Sequence, residues 1–430
     1  MTPLSGYRPG RRGRGPGPAG EGFQPRLAVY AGGGSSHSWL WFVELAERLG
    51  LHQVAVLDHR QAAGGALAGR EALLVSGGDT FGMAEALGPA GARALEGFLR
   101  EGGLYLGSCA GAYLPLNSSK PPLDLFNWVP AKITNLSRDL PAARELAEKF
   151  CTAYGCSWVF HPVREAVELA GRGPGPWGRA GSFPAPLYGG PAMVVSGGCR
   201  ELARYAGFTE STRFLAEPEL ARRTLVGRAA VVRAGLGRGR LYLMGPHLEH
   251  PRFARANRLI AQTLRQELPQ ALDRQAEPPP AERLAGAAAR RWLRDLQREV
   301  SNLRIVACNL EGHPARWRIG RKVYEPAKLR VYAEAAWPRL RRLERLPGLA
   351  LPAAAAGLVE GWHELAGRAR RLHAGLRAGR DMTAPAAELL AGLNRQTARL
   401  VETYFANLAG AAPQAAARPR PAARLGGMAR

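Results

Sequence analysis

The sequence predicts an α/β protein, a parallel sheet covered by helices on both faces, followed by an α-helical bundle. Three observations carry this. From residue 27 onward, apolar runs of strand length alternate with stretches of helical spacing, the pattern of a parallel sheet. One such run, Gly103-Leu104-Tyr105-Leu106, enters Gly107-Ser108-Cys109-Ala110-Gly111 and continues into Ala112-Tyr113-Leu114, a strand, a tight glycine turn and a helix. Beyond Pro278-Pro279-Pro280 the apolar residues recur at alternate steps of three and four.

Residues 1 to 25 are rich in glycine, proline and arginine and lack periodicity, so they read as a disordered basic arm. Order is expected from Leu27: a strand to Ala31, a helix from Trp39 to Leu49, and strands from Val54 to Leu57, Ala72 to Val75, Leu104 to Gly107 and Arg240 to Met244. Each strand ends in glycine or a polar turn. Residues 115 to 200 read as irregular, their prolines and glycines suggesting long loops over the edge and mouth of the sheet. The α/β domain is bounded at 26 to 268 and a Pro-rich linker at 269 to 280. The bundle spans 281 to 410: one helix through Leu293, Leu296, Val300, Leu303 and Leu310, one from Pro326 to Leu346 interrupted or kinked at Pro338, one through Leu358, Trp362, Leu365 and Leu372, and one through Leu390, Leu393, Leu400 and Tyr404. A disordered basic tail is expected over 411 to 430.

The formal net charge of +24 over 430 residues is almost wholly arginine, since lysine occurs only at Lys120, Lys132, Lys149, Lys322 and Lys328. Codons rich in G and C favour arginine over lysine but do not create an excess of positive charge, so the excess favours polyanions or anionic surfaces as partners. Between 281 and 410, 23 basic residues face 12 acidic ones and interleave with aromatics, as in Arg316-Trp317-Arg318 and Arg321-Lys322-Val323-Tyr324. That composition suits nucleic acid. Helical spacing favours tryptophans in the bundle core with arginines outside, and the same seams suit a protein partner or a second copy. Five cysteines at irregular spacing, Cys109, Cys151, Cys156, Cys199 and Cys308, read as reduced thiols in a cytoplasmic protein. Neither a signal sequence nor an apolar run of about eighteen residues appears, so no membrane partner is expected. Cys151, Cys156 and His161 fit no common zinc spacing; no metal or cofactor is expected.

A cysteine on a strained strand-to-helix turn is a candidate nucleophile, because backbone N–H groups and the helix dipole favour its thiolate. It needs a base, an orienter and oxyanion donors. Downstream of the strand ending at Met244, His247 and Glu249 stand two apart, so that in an extended loop Glu249 faces one ring nitrogen while the other faces Cys109. Upstream, Val75-Ser76-Gly77-Gly78-Asp79-Thr80 is a glycine turn after a strand, and the Gly78 and Ala110 N–H groups are the candidate oxyanion donors. Gly32-Gly33-Gly34-Ser35 reads equally as a turn into the helix at Trp39 or, with Tyr188 to Pro191, as pocket lining. The candidate pocket residues are Gly33, Gly34, Ser35, Tyr188 and Gly190.

In this order, Tyr30-Ala31-Gly32-Gly33-Gly34-Ser35, Val75-Ser76-Gly77-Gly78-Asp79, Gly102 to Tyr113, Leu187-Tyr188-Gly189-Gly190-Pro191 and His247-Leu248-Glu249 resemble the biotin-protein ligase N-terminal domain family of the class I glutamine amidotransferase-like superfamily, over about residues 26 to 268. The resemblance implies a flavodoxin-like parallel sheet and places Cys109, His247 and Glu249 at triad positions. Leu248 stands where members of the family often carry proline, a change expected to leave the spacing intact. No biotin-ligase catalytic module follows; Gly10-Arg11-Arg12-Gly13-Arg14-Gly15 sits in the basic arm with no fold around it. The expected function is therefore amidase-type acyl transfer by a Cys-His-Glu hydrolase on a small amide-like substrate. The alternative is a non-catalytic small-molecule-binding or scaffolding protein with a basic helical domain for a protein or nucleic-acid partner.

Overall fold

Strand residues alternate between two apolar cores. In β1 (Leu27–Tyr30), Leu27 and Val29 join one cluster with Trp39, Phe42 and Leu259, whereas Ala28 and Tyr30 join another with Phe81, Leu95 and Leu99. This period of two, with both faces buried, is what a parallel sheet between helical layers demands. The computed structural model describes residues 22–136, 159–272, 274, 276–277 and 280–416. Cys151, Cys156, nearly all of the basic arm, part of the linker and residues 417–430 lie outside the described residues.

β1, β2 (Val54–Leu57), β3 (Ala72–Val75) and β4 (Leu104–Ser108) pair in parallel with order β2-β1-β3-β4. The helices α1 (Trp39–Leu49), α2 (His59–Ala63), α3 (Thr80–Arg100) and α4 (Ala110–Tyr113) connect or follow them. Each strand starts and ends within a residue or two of its sequence expectation.

The stretch expected to be loops departs from expectation. Among its described residues are β5 (Ala131–Ile133), β6 (Val163–Gly171), β7 (Ser182–Leu187) and β8 (Met193–Val195), followed by β9 (Arg200–Phe208), β10 (Arg213–Phe214), β11 (Ala229–Leu236) and β12 (Gly239–Met244). They extend the sheet through antiparallel pairs, β6 with β7 and β9, β9 with β11, and β11 with β12. β12 then returns to lie parallel to β4, with Met244 opposite Ser108. Proline and glycine hid these strands, because Pro184 and Pro186 sit within β7 itself.

After the helix Ala254–Glu267, four more follow among the described residues, Gly286–Leu310, Ala327–Leu343, Leu358–Arg377 and Thr383–Ala416. The second passes through Pro338 as one helix and the last runs beyond the expected boundary at 410. Trp362 and Trp317 are buried among them. Between the helices lie two small sheets the periodicity did not reveal: β13 (Glu282–Ala285) with β16 (Gly348–Leu351), and the hairpin of β14 (Trp317–Ile319) and β15 (Lys322–Tyr324) turned by Gly320-Arg321.

These helices are not a separate ball. Their apolar residues, Leu296, Trp362, Leu393 and Phe405 among them, belong to the same core as Val29, Trp39 and Leu104. The Trp39 indole N–H donates to Asn394 Oδ1 at 2.7 Å, and the Asn394 amide donates to the Ala31 carbonyl. The last helix covers the free edge of β2, where the Val56 N–H donates to Glu402 Oε1 at 3.3 Å. Burial pushes the Glu402 carboxyl up to about 6. Arg339, 2 % exposed, makes a bidentate pair with Glu47 of α1 at 2.8 and 3.0 Å.

That pair yields a test of the joint core. Arg339→Met strands the Glu47 carboxylate and is expected to lower unfolding stability by about 3 kcal/mol, whereas Glu47→Leu combined with Arg339→Met restores most of it. Urea denaturation measures both.

Candidate active site

The end of β4 is forced into an unusual backbone. Cys109 has φ 52 and ψ −111, a left-handed conformation rare for a residue with a side chain. Three contacts hold it there: the Cys109 N–H donates to the Met244 carbonyl at the end of β12 (2.9 Å), the Gly111 N–H to the Ser76 carbonyl beyond β3 (3.1 Å), and the Tyr105 hydroxyl to the Gly111 carbonyl (2.7 Å). Glycine is obligatory at 111, because a Cβ there would stand 2.1 Å from the Val75 carbonyl oxygen. Strain that neighbouring strands enforce in this way is characteristic of functional sites. The helix after the elbow, α4, is a single turn. The dipole support expected from the sequence is therefore slight, and the Ala110 N–H itself hydrogen-bonds the sulfur.

His247 and Glu249 meet Cys109 as the spacing suggested, by a different local geometry. The segment is a turn rather than extended, the His250 N–H donating to the His247 carbonyl at 3.1 Å, and Asn257 ties the Leu248 and His250 carbonyls to the following helix. Within that turn His247 Nδ1 lies 2.7 Å from Glu249 Oε1, and the same imidazole hydrogen-bonds Cys109. Leu248 is fully buried, so the residue between them serves the core.

Glu249, 0 % exposed, receives two further donors on the same oxygen, Ser76 Oγ at 2.8 Å and Ser108 Oγ at 2.7 Å. A chain of serines continues from Ser76 to Ser38 (3.0 Å) and Ser36 (3.1 Å), ending on the Gly77 carbonyl. Two hydroxyl donors and an imidazole supply to Oε1 what burial would otherwise withhold, while Oε2 is buried with no hydrogen-bond partner among the described residues. The sequence reading did not assign these serines. Their signal is position, since Ser76 and Ser108 stand at the ends of neighbouring parallel strands.

Burial alone would lower the His247 pKa, but the charges of Glu249 and Cys109 and their hydrogen bonds raise it to about 10. Burial alone would raise the Cys109 thiol, yet the His247 charge, the hydrogen bond from His247, Lys322 and the Ala110 N–H together hold it below the ordinary thiol range. The arrangement favours a thiolate–imidazolium pair at neutral pH. Aromatic rings enclose the imidazole: Trp41 packs edge-on at 4.8 Å between centroids, with Tyr188 at 5.9 Å.

The other expected residues divide. Gly78 lies beside the elbow on the cavity wall, its backbone set by a bridge to Ser35 that uses the Ser36 and Asp79 N–H groups and not its own. A Cβ at Gly78 would collide with the Gly34 carbonyl at 2.1 Å. Gly78, Ala110 and Tyr188 line a cavity of about 810 Å³ together with Cys109. Gly33, Gly34, Ser35 and Gly190 do not. The first three back the Gly78 turn, with the Gly33 N–H donating to His59 Nδ1 at 3.2 Å, and Gly190 packs against Gly245 behind the cavity. Of the two glycines, Gly189 rather than Gly190 is on the wall beside Tyr188, its carbonyl accepting from the Tyr113 hydroxyl.

His161 also lines the cavity; burial, with the Lys322 charge, lowers its pKa to about 3, leaving it neutral. Among the described residues no group of histidine, cysteine and carboxylate side chains could hold a metal ion. No helix of the described residues is long and apolar enough to cross a membrane.

The cavity has a wall no sequence argument supplied. Arg321 and Lys322, from the β14–β15 hairpin, complete it. The hairpin grips the turn that carries Gly78: the Arg321 N–H donates to Asp79 Oδ2 at 2.9 Å, its guanidinium pairs with Glu85 at 2.9 Å, and it lies 4.2 Å above the Phe81 ring. Asp79 Oδ1 meanwhile caps α3 through the Phe81 and Gly82 N–H groups.

Residues 27–120 match the family model described as Biotin-protein ligase, N terminal, the family that the motifs resemble. The match includes Gly78, Cys109 and Ala110 and stops before His247, Glu249 and the C-terminal helices. Solved structures similar to this chain include a β-galactosidase from Bacillus circulans sp. alkalophilus (13% identity, 60% of this chain and 33% of that one, TM-score 0.34) and a β-galactosidase from Rahnella sp. R3 (13% identity, 60% and 33%, TM-score 0.35). A cytoplasmic protein from Salmonella typhimurium LT2 is similar at 12% identity over 56% of this chain and 98% of that one, with a TM-score of 0.33. The chain spans a third of the length of the two galactosidases. No curated protein matches it.

The electrostatic arrangement predicts how Glu249 matters. In Glu249→Gln the imidazolium loses its counter-charge, so the His247 pKa falls and the Cys109 thiolate titrates higher, by about 1–3 units. Thiolate absorbance near 240 nm followed against pH measures the shift.

Proposed function

We propose that this chain is a cysteine-dependent hydrolase of the class I glutamine amidotransferase-like kind, acting on the acyl carbon of a carboxamide or similar small substrate. The observation that carries this reading is the unbroken path of hydrogen bonds from Cys109 through His247 to Glu249, set on a strained strand end at the wall of a cavity. The parallel strand order β2-β1-β3-β4-β12 supports the flavodoxin-like form of the sheet, with the site at the carboxyl ends of the strands where such sheets bind ligands.

The chemistry follows from the geometry. The Cys109 thiolate attacks the carbonyl carbon, and the carbonyl electron pair moves onto oxygen, for which the N–H groups of Gly78 and Ala110, both on the cavity wall, are the proposed donors. As the tetrahedral intermediate collapses, the His247 imidazolium gives its proton to the leaving amine and the C–N bond breaks, leaving a thioester. The now neutral imidazole takes a proton from water. The hydroxide adds to the thioester, the C–S bond breaks, and the carboxylic acid product leaves the thiolate beside its imidazolium again. Glu249 holds the ring by Nδ1 so that its other nitrogen addresses the sulfur. Biotin transfer is not part of this proposal.

The test is alkylation of Cys109 by iodoacetamide as a function of pH, read by peptide mass, together with hydrolysis of p-nitrophenyl acetate. The wild type is expected to alkylate at pH values below 7 and to accumulate an acetyl adduct on Cys109. Cys109→Ala should lose both signals, and His247→Ala should return the thiol to ordinary titration near 8.5. An ordinary titration in the wild type that is unchanged in His247→Ala overturns the enzyme reading in favour of a non-catalytic binding or scaffolding protein.

A further inference from the structure

Among the described residues two that are not glycine take a left-handed backbone, Cys109 with φ 52 and Glu165 with φ 67. The first is the candidate nucleophile. The second lies in β6, off the cavity wall. Alternation along a strand assigns Glu165 to the side of Val163 and Val167, both part of the apolar core, and its cross-strand partner Leu187 belongs to that core too. A carboxylate at such a place breaks the pattern of the strand, and its side chain is 37 % exposed where those neighbours are buried. A long side chain at positive φ persists only where the surrounding structure over-determines it, and such strain gathers at functional sites.

What the carboxylate holds leads back to the site. Glu165 Oε2 accepts from the Tyr188 hydroxyl at 3.1 Å and from Arg252 Nη2 at 3.1 Å. Burial, then the Glu165 charge, raises the Tyr188 phenol above its ordinary value, so the hydroxyl stays protonated and donates. Arg252 belongs to the loop that carries His247 and Glu249, and its own N–H donates to His250 Nδ1 at 3.3 Å. The Tyr188 ring stands 5.9 Å from the His247 ring, 6.0 Å from Trp41 and 6.2 Å from His250, while Trp41 packs 4.8 Å from His247. Of these four rings Tyr188 alone lines the cavity. The bond between Nδ1 and Glu249 leaves the imidazole free to tilt about it, and the neighbouring rings restrict that tilt.

We propose that Glu165 is a positioning residue for the candidate triad: its carboxylate ties the Tyr188 hydroxyl to Arg252, and the ring so anchored holds the His247 imidazole in line with Cys109 at the cavity wall. This rests on the reading of Cys109 as the nucleophile. Strain at Glu165 places one carboxylate between a strand and the triad loop, as strain at Cys109 presents the sulfur.

The experiment follows acetylation of Cys109 by p-nitrophenyl acetate, thiolate absorbance against pH and urea unfolding, all in the full chain. Glycine accepts a positive φ without strain, so Glu165→Gly is expected to keep or raise the unfolding midpoint. In the same variant Cys109 acetylation should slow about tenfold, and the thiolate titration midpoint should rise by about one unit. Tyr188→Phe, which retains the ring and removes its anchor, should slow acetylation to a similar degree. Glu165→Gly combined with Tyr188→Phe should be no slower than the slower single variant, because both break one clamp. Glu165→Gln keeps an oxygen for the hydroxyl and should retain most of the wild-type rate. Acetylation and titration unchanged in Glu165→Gly and Tyr188→Phe, losses that add in the double variant, or a loss of reactivity matched by a lowered unfolding midpoint in Glu165→Gly overturns the proposal while the nucleophile stands. A wild-type Cys109 that is neither acetylated nor alkylated by iodoacetamide overturns the nucleophile reading, and the role of Glu165 with it.

Discussion

One carboxylate oxygen organises this site. Glu249 Oε1 accepts from Ser76 beyond β3, Ser108 at the end of β4 and His247 beyond β12, so three adjacent strand ends converge on a single buried charge. Hydrogen bonds to a buried carboxylate are among the stronger ones a protein makes, and an unanswered charge here would be costly. The register follows from it. Met244 stands opposite Ser108, and a slip of one residue would turn Ser108 to the other face and carry His247 away from Cys109. The elbow is fixed by the same three strand ends through backbone bonds, Cys109 to Met244 and Gly111 to Ser76. Side-chain and backbone networks therefore constrain one another, and neither strain at Cys109 nor a buried ionised glutamate would persist alone.

The second constraint is the union of the two halves of the chain. A helical region that merely followed the sheet would leave the α1 face and the β2 edge open. Here Trp39, Arg339, Asn394 and Glu402 tie those surfaces to the C-terminal helices, and the apolar core is continuous across them. The hairpin that holds Arg321 and Lys322 is carried to the cavity by that packing. Its grip on Asp79 reaches the turn bearing Gly78, so the C-terminal region fixes that turn from outside the sheet.

Local chemistry was legible in the sequence and distant contact was not. The strands at 27, 54, 72, 104 and 240 and the helix at 39 follow from apolar spacing, and the elbow from its glycines. His247 and Glu249 could be found because a turn after a strand and a separation of two are local facts. Gly33, Gly34 and Ser35 also follow a strand, which suits a turn and a pocket wall equally, and they lie behind Gly78 and off the cavity wall. The strands between 131 and 195 were hidden by proline and glycine, which an antiparallel extension tolerates better than a central parallel strand. Trp317 to Tyr324, an aromatic and β-branched pair of runs about Gly320, carries a hairpin signal that the surrounding helical periodicity obscured. That it docks on Asp79, some 240 residues upstream, is a tertiary fact with no local signature.

The charges at the elbow explain why that distant hairpin matters to a thiolate. Cys109 is only 6 % exposed, and burial by itself opposes its ionisation. The imidazolium of His247 offsets that cost, but it is stabilised in turn by Glu249, which adds a second negative charge to the same buried volume. Thiolate, imidazolium and carboxylate together leave the site one negative charge in excess. A low-dielectric setting penalises such an excess, and the Lys322 charge, among those that lower the Cys109 pKa, opposes it. Lys322, whose charge acts on Cys109, comes from the C-terminal region, outside the stretch that matches the N-terminal ligase family. The C-terminal region thus acts on the Cys109 sulfur through the charge of Lys322.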